Sequence, residues 1–324
     1  MGFFVILEQR QGGVKDASVD VWRTVQHLAE VSRDADVCGL VMGDADRDRI
    51  KRRCTGKGRV YTLKDKAFQN YCPQCYAETI VEMVGRTGAE HVFLANTAMG
   101  RDLAPRIAMR LDAALASDCV VDADGTGVLK AETTMYSGTV SAVIQGLKKR
   151  TVYSLAPRLR FFGRPAENAV DIVGDERGCV LECNPLLKEI VYHTGRKDIA
   201  ETDIIVAGGR GVGGSENFAM LESLATVLGG AVGASRSAVD EGWRPHSDQI
   251  GQTGKSVAPR LYIACGISGA PQHLAGIAGA ETVVAINRDR DAPLFKSADY
   301  GIVGDIAKVL PQLERALSGF LRVK

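Results

Sequence analysis

Five glycines and an arginine, Gly208-Gly209-Arg210-Gly211-Val212-Gly213-Gly214, follow the apolar run Asp203 to Ala207 and precede Ser215. Gly209, Gly211 and Gly214 meet the G-x-G-x-x-G spacing of a dinucleotide turn, in which missing side chains let backbone N–H groups approach a pyrophosphate. Ser215 is expected to cap the helix that follows. An NAD site also asks for an acid at the end of the second strand, where it holds the ribose hydroxyls. Here that strand ends Gly233-Ala234-Ser235-Arg236. An arginine there suits a 2′-phosphate, so an NADP-binding oxidoreductase domain is one reading and a tight turn without any ligand is another.

The later strand ends widen the choice. Gln249-Ile250-Gly251-Gln252-Thr253-Gly254 precedes a third apolar run, Ser268-Gly269-Ala270-Pro271-Gln272-His273 follows it, and Asn287-Arg288 and Asp305 follow the fourth and fifth. A nicotinamide cofactor does not need hydrogen-bonding groups at all of these points. A flavin dinucleotide has a polar ring system, a ribityl chain, a pyrophosphate and an adenosine, and could use each of them. A flavin that takes up one electron gathers negative charge at its pyrimidine end, where a cation or strong donor lowers its energy. Arg236 and His273 are the candidates for that role. The bland alternatives are a solvated surface arginine and a packed or helix-capping histidine. His246 lacks a comparable position and reads as structural.

The elements that must hold these loops are an alternation of strands and helices, hence an α/β protein. The first half reads βαβα, with strands at Phe3 to Glu8, Asp36 to Met42, Gly58 to Leu63 and His91 to Ala95. Between them lie helical stretches carrying Val21, Val25 and Leu28, then Cys75 to Val84, then Leu103, Ile107 and Leu111. A parallel sheet covered by helices follows. From Ala131 to Arg160, Thr, Val, Tyr and Ser dominate without helical period, which predicts antiparallel strands finishing the same domain. Residues 161–201 are rich in Gly, Pro and charge and read as the connection to a second domain. The boundary is expected near 195, giving domains 1–194 and 195–324. The second holds 19 of the 36 glycines and is expected to be doubly wound, with ligands bound beyond the carboxyl ends of its strands.

Four blocks of the second domain resemble the alpha subunit of electron-transfer flavoproteins: Gly233 to Trp243, Gln249 to Pro259, Leu261 to Gly276 and Val283 to Asp289. The first domain resembles that family more weakly, through its opening strand and His91 to Arg106. The resemblance implies an FAD-binding second domain and a heterodimer with a beta subunit. It further implies electron carriage from flavoprotein dehydrogenases of acyl-CoA type, in fatty acid oxidation, to a membrane or soluble acceptor. It maps the family's FAD contacts onto Arg210, Ser235, Arg236, Ile250, Gly251, Gln252, Thr253, Ser268, Gly269, Ala270, Pro271, Gln272, His273, Asn287, Asp305 and Ile306. In that mapping Arg236 packs against the flavin ring and Thr253 faces the reactive nitrogen of the central ring. An alpha subunit of an electron-bifurcating complex is the related alternative, and a nonredox nucleotide-binding subunit the more distant one.

Composition excludes other classes. Forty basic and 39 acidic side chains leave a net charge of +1, so nothing draws the chain to nucleic acid or an anionic membrane. Phe3 to Leu7 is too short for a signal segment and no run reaches the roughly 20 apolar residues of a membrane span. Eight cysteines without a signal read as thiols of a reducing cytoplasm. Cys72-Pro-Gln-Cys75 could be half a metal site with Cys54 or Cys38, or a redox pair, but no histidine lies near it and unliganded thiols are the preferred reading. Cys179 and Cys183 read as packing residues. No Ser/His/Asp elbow and no paired carboxylates point to hydrolysis.

Overall fold

The computed structural model describes residues 1–32, 35–124, 128–135, 140–156, 168–175 and 197–322. The chain divides into two compact units, the second containing residues 197–322 of those described. The expected boundary near 195, and with it Cys179 and Cys183, lies outside the described residues.

The first unit is built on a nine-stranded sheet. Its order is Asp171–Asp175, Arg59–Leu63, Asp36–Met42, Gly2–Leu7, His91–Ala95, Thr151–Leu155, Ala114–Ala123, Leu129–Met135 and Val140–Ile144. The opening strand is apolar throughout because both its faces are covered. Phe3, Val5 and Leu7 enter one core with Trp22 and Val25, while Phe4 and Ile6 enter the other with Ile80 and Leu103. The helices Asp16–Val31, Pro73–Thr87 and Ala98–Arg110 supply the covering faces.

Three expectations for this unit need correction. Of the segment expected to be antiparallel, Leu129–Met135 and Val140–Ile144 are so, but Thr151–Leu155 enters the middle of the sheet, parallel to both His91–Ala95 and Ala114–Ala123. All five of its residues are buried, which its β-branched and aromatic side chains reward. Residues 161–201 are not merely a connection, since Asp171–Asp175 adds a parallel edge strand beside Arg59–Leu63. The expectation of free thiols throughout also fails at one place. Cys38, Cys54, Cys72, Cys119 and Cys265 are buried thiols outside any disulfide, whereas Cys75 is disulfide-bonded. Among the described residues no cluster of three or more His, Cys, Asp or Glu could hold a metal ion, and no helix is long and apolar enough to cross a membrane.

The second unit is a five-stranded, wholly parallel sheet in the order Ala231–Ala234, Ile204–Gly208, Leu261–Cys265, Val283–Asn287 and Tyr300–Val303. Phe218–Leu228 and Ile306–Arg322 cover one face, where Phe218, Leu221, Leu224 and Leu310 pack on Val206, Ile263 and Ile286. On the other face Tyr262, Ile250, Ile277 and Leu294 pack on Ile205, Ala264 and Ala285. The chain leaves the Ile204–Gly208 strand toward Ala231–Ala234 on one side and returns to Leu261–Cys265 on the other. The strand order therefore switches between Ile204–Gly208 and Leu261–Cys265, the place at which an open α/β sheet offers a ligand site beyond its carboxyl ends.

Candidate functional site

A cleft of about 370 Å³ opens at that switch point, lined from five directions. Arg210 and Gly211 come from the loop after the first strand, and Ser235, Arg236 and Ser237 from the loop after the second. Ile250 to Thr253 come from the turn before the third, and Gly266, Ile267, Ser268, Ala270, Gln272 and His273 from the segment after it. Asn287, Asp289 and Ala292 follow the fourth. The size falls in the range of small-molecule and cofactor sites, about 300 to 1,000 Å³.

The glycines of the first loop have a local reason to be glycines. Gly209 N–H donates to the Cys265 carbonyl at 2.9 Å and Gly211 N–H to the Gly266 carbonyl at 3.0 Å, so the loops after the first and third strands run in contact. A Cβ on Gly209 would lie 2.3 Å from the Gly266 oxygen, and one on Gly211 would lie 2.8 Å from the Gly266 Cα. The fingerprint spacing thus serves loop-to-loop packing, which carries Arg210 to the rim. Ser215 does not cap the next helix as expected. That helix begins at Phe218, and Ser215 instead accepts the Phe218 N–H with its backbone carbonyl, at 3.2 Å.

The remaining walls are fixed in the same way. Ser235 is buried, donates its N–H to Gly208 O at 2.9 Å and stands ahead of the short helix Arg236–Asp240. Arg236 projects from the first position of that helix, with its side chain 69% exposed and 3.4 Å from Asp240. Gly251, at φ +139°, packs its backbone against Gly276 of the helix Pro271–Ile277, and Gln252 N–H donates to Gln272 O at 2.9 Å. Asn287 is a strut: its Nδ2 donates to Ile267 O at 3.0 Å and its Oδ1 accepts from Asp289 N at 3.0 Å.

His273 is placed differently from its expected role. It lines the cleft but is only 6% exposed. Nδ1 lies 3.1 Å from the Ile250 carbonyl, which can only accept, and Nε2 lies 2.9 Å from the Tyr262 hydroxyl. Burial pushes the imidazole pKa down to about 4, so the ring is neutral at pH 7 with Nδ1 protonated and Nε2 accepting from Tyr262. Both nitrogens are spent inside the protein, and His273 is neither a cation nor a donor toward the cleft in this structure. Arg210 and Arg236 are the cations that line it.

Twelve of the sixteen residues expected at the site thus line one cleft, and four do not. Gly269, at φ +87°, lies against the Leu294 backbone, and Pro271 opens its helix. Asp305 accepts from Ala307 N at 3.0 Å and so caps the last helix. Ile306 is buried in the core beneath Gly266. Sequence reasoning passed over Ser237, Gly266, Ile267, Asp289 and Ala292. Asp289 and Ala292 sit two and five residues beyond Asn287, so extending the strand-end rule by one turn reaches both.

A doubly wound α/β unit with a cleft of two arginines, several hydroxyls and amides, and glycine backbone at its switch point is a binding domain for a large anionic cofactor. Comparison with known proteins specifies it. The family model described as electron transfer flavoprotein domain matches residues 3–160, and that described as electron transfer flavoprotein FAD-binding domain matches residues 198–278. The chain is 40% identical to an electron transfer flavoprotein subunit alpha of Thermoanaerobacterium thermosaccharolyticum, over 96% of both chains. It is 36% identical to one of Megasphaera elsdenii, over 98% of this chain and 96% of the other. It is 39% identical to Protein FixB of Clostridium saccharobutylicum, over 96% of this chain and 95% of the other. The chain belongs to the electron transfer flavoprotein alpha-subunit family, and its cofactor is FAD. The nicotinamide alternative falls with that assignment.

Proposed function

We propose that this chain forms a heterodimer with a beta subunit and carries electrons between flavoprotein dehydrogenases, of acyl-CoA type, and a redox acceptor. The observation that carries this reading is the convergence of Arg210, Arg236, Ser235, Thr253, Ser268 and Gln272 on one open cleft in an FAD-binding domain. The donor set fits the group. Two arginines match a pyrophosphate and a ring that gains negative charge, and the hydroxyls and amides match ribityl and ring edges. Bound FAD supplies the one-electron chemistry.

The chain's own residues hold and bias the cofactor. Arg210, at the rim of the Gly209-to-Gly214 loop, suits the pyrophosphate. Arg236 lies where a positive charge favours electron uptake. Thr253 offers a hydroxyl toward the ring from the turn before the third strand. His273 acts from behind that turn, holding the Ile250 carbonyl. The cleft is partly open to solvent, which leaves a flavin edge accessible for electron exchange. The visible spectrum of the chain purified with its beta subunit tests the reading: a flavin absorbance band with stoichiometric FAD is expected, and a colourless complex overturns it.

A further inference from the structure

Gln249 precedes the cleft-lining turn and does not itself line the cleft, yet it is 3% exposed and aims a side-chain amide at the cleft wall. Its Nε2 donates to Thr253 Oγ1 at 3.0 Å. The backbone of Gln249 has its own partners, since its N–H donates to His246 O at 3.0 Å and its carbonyl accepts from Lys255 N at 2.8 Å. Gly254 leaves room for the arrangement, because a Cβ there would lie 2.4 Å from the Gln249 carbonyl and 2.9 Å from its Cγ.

A hydroxyl has one proton and two lone pairs. An amide N–H donated to Thr253 occupies a lone pair and leaves the proton for something else. It also polarises the O–H bond and makes it a stronger donor. Thr253 is exposed at the cleft. We propose that Gln249 is a positioning residue that keeps the Thr253 hydroxyl proton aimed into the cleft, so that Thr253 donates to an unprotonated ring nitrogen of the bound flavin. The proposal rests on the reading that Thr253 meets the central ring of FAD. A donor fixed there favours flavin states whose ring nitrogen carries no proton, and so couples the flavin's potential to a side chain that never touches it.

The test uses the full chain coexpressed with its beta subunit and loaded with FAD carrying 15N at the central-ring nitrogen N5. Thr253→Val is expected to move the N5 resonance downfield, toward the value of a nitrogen that accepts no hydrogen bond. Gln249→Leu is expected to move it part of the way. It should also change the ratio of oxidised to reduced flavin at a fixed potential by about two- to tenfold, the worth of one hydrogen bond. In the Thr253→Val background Gln249→Leu should add nothing, because its effect passes through the hydroxyl. Gln249→Glu is nearly isosteric and secures the test should Gln249→Leu fold poorly. Its carboxylate accepts the hydroxyl proton, so N5 should shift as far as in Thr253→Val. An N5 resonance unmoved by Gln249→Glu, or a Gln249→Leu effect equal in both backgrounds, would overturn the role of Gln249 while leaving the FAD site intact. A Thr253→Val variant with unchanged N5 overturns the placement of Thr253 on the ring, and with it this inference.

Discussion

His273 illustrates how burial can reverse a residue's role. In a polar loop at a strand end the side chain looked like a donor for the cofactor, yet the fold turns both its nitrogens inward, to Ile250 and Tyr262. Its pKa is about 4 in the folded chain against about 6.5 when exposed, so between these values the unfolded chain binds a proton that the folded one does not. Stability is therefore undiminished above pH 6.5 and falls as the pH drops toward 4, by on the order of 3 kcal/mol. Denaturant titrations at pH 7.5 and 4.5 should show this loss, and His273→Gln should remove its share of the pH dependence, leaving that of His91, which burial also holds below the usual imidazole value; an equal dependence in the variant would assign the loss elsewhere. Arg236 remains on the cleft, where its exposure moderates its influence. Arg236→Ala should lower the flavin's one-electron potential by about 20 to 40 mV, the equivalent of roughly 0.5 to 1 kcal/mol for an exposed charge. FAD should stay bound, since the other walls are untouched. Stepwise photoreduction followed by absorbance measures the shift, and an unchanged potential would sink the role.

Among the loops, the contact between Gly211 and Gly266 is the joint on which the cleft depends. Gly211→Ala would bring a methyl within 2.8 Å of the Gly266 backbone, which cannot swing away as a flexible side chain could. Separating the two loops should cost about 1 to 3 kcal/mol and displace Arg210. Thermal unfolding and FAD content should both fall in Gly211→Ala. Gly229→Ala is the control, because a Cβ there meets nothing within 4 Å, although its φ of +69° carries a small strain of its own. Equal FAD loss in the two variants would refute the joint. All five strands of this unit were legible as apolar runs ending in polar, glycine-flanked loops: four are largely buried and so need no alternation, and the exposed edge strand Tyr300–Val303 is apolar all the same. The first unit was less so. Asp171–Asp175 is a five-residue strand with charges at both ends, and only pairing with Arg59–Leu63 makes it one. Thr151–Leu155 read as a strand, but its place between two distant strands is a tertiary choice with no local mark. In the site, loop membership was visible from the glycines, whereas the bond from Gln249 to Thr253 and the inward turn of His273 arise only once the turn has folded onto the helix Pro271–Ile277.

At the scale of the molecule, both sheets end in strands with apolar side chains in the open. Val140–Ile144 is the last strand of the first sheet, with Val143 69% exposed and Val140 47%. Tyr300–Val303 is the last of the second, exposed along its whole length. An edge strand with unpaired backbone groups and apolar side chains is a site for association, and proteins that remain monomeric usually blunt it with charge or proline. Neither strand carries either residue type. The groove at the switch point is open as well, so FAD held by this chain alone would keep one side in water and lose part of the burial that drives cofactor binding. Both features follow if the chain is one half of a heterodimer, and they predict the same outcome. Expressed alone, it should associate into a broad distribution of sizes and release FAD on dilution. Coexpressed with its beta subunit, it should run as a single species retaining one FAD in this cleft, with a midpoint of unfolding that rises with the concentration of the complex. Light scattering and cofactor analysis before and after gel filtration decide between the two. A monodisperse monomer that holds stoichiometric FAD without any partner would show that the exposed edges and the open groove are complete as they stand, and would remove the need for a second subunit in holding the flavin.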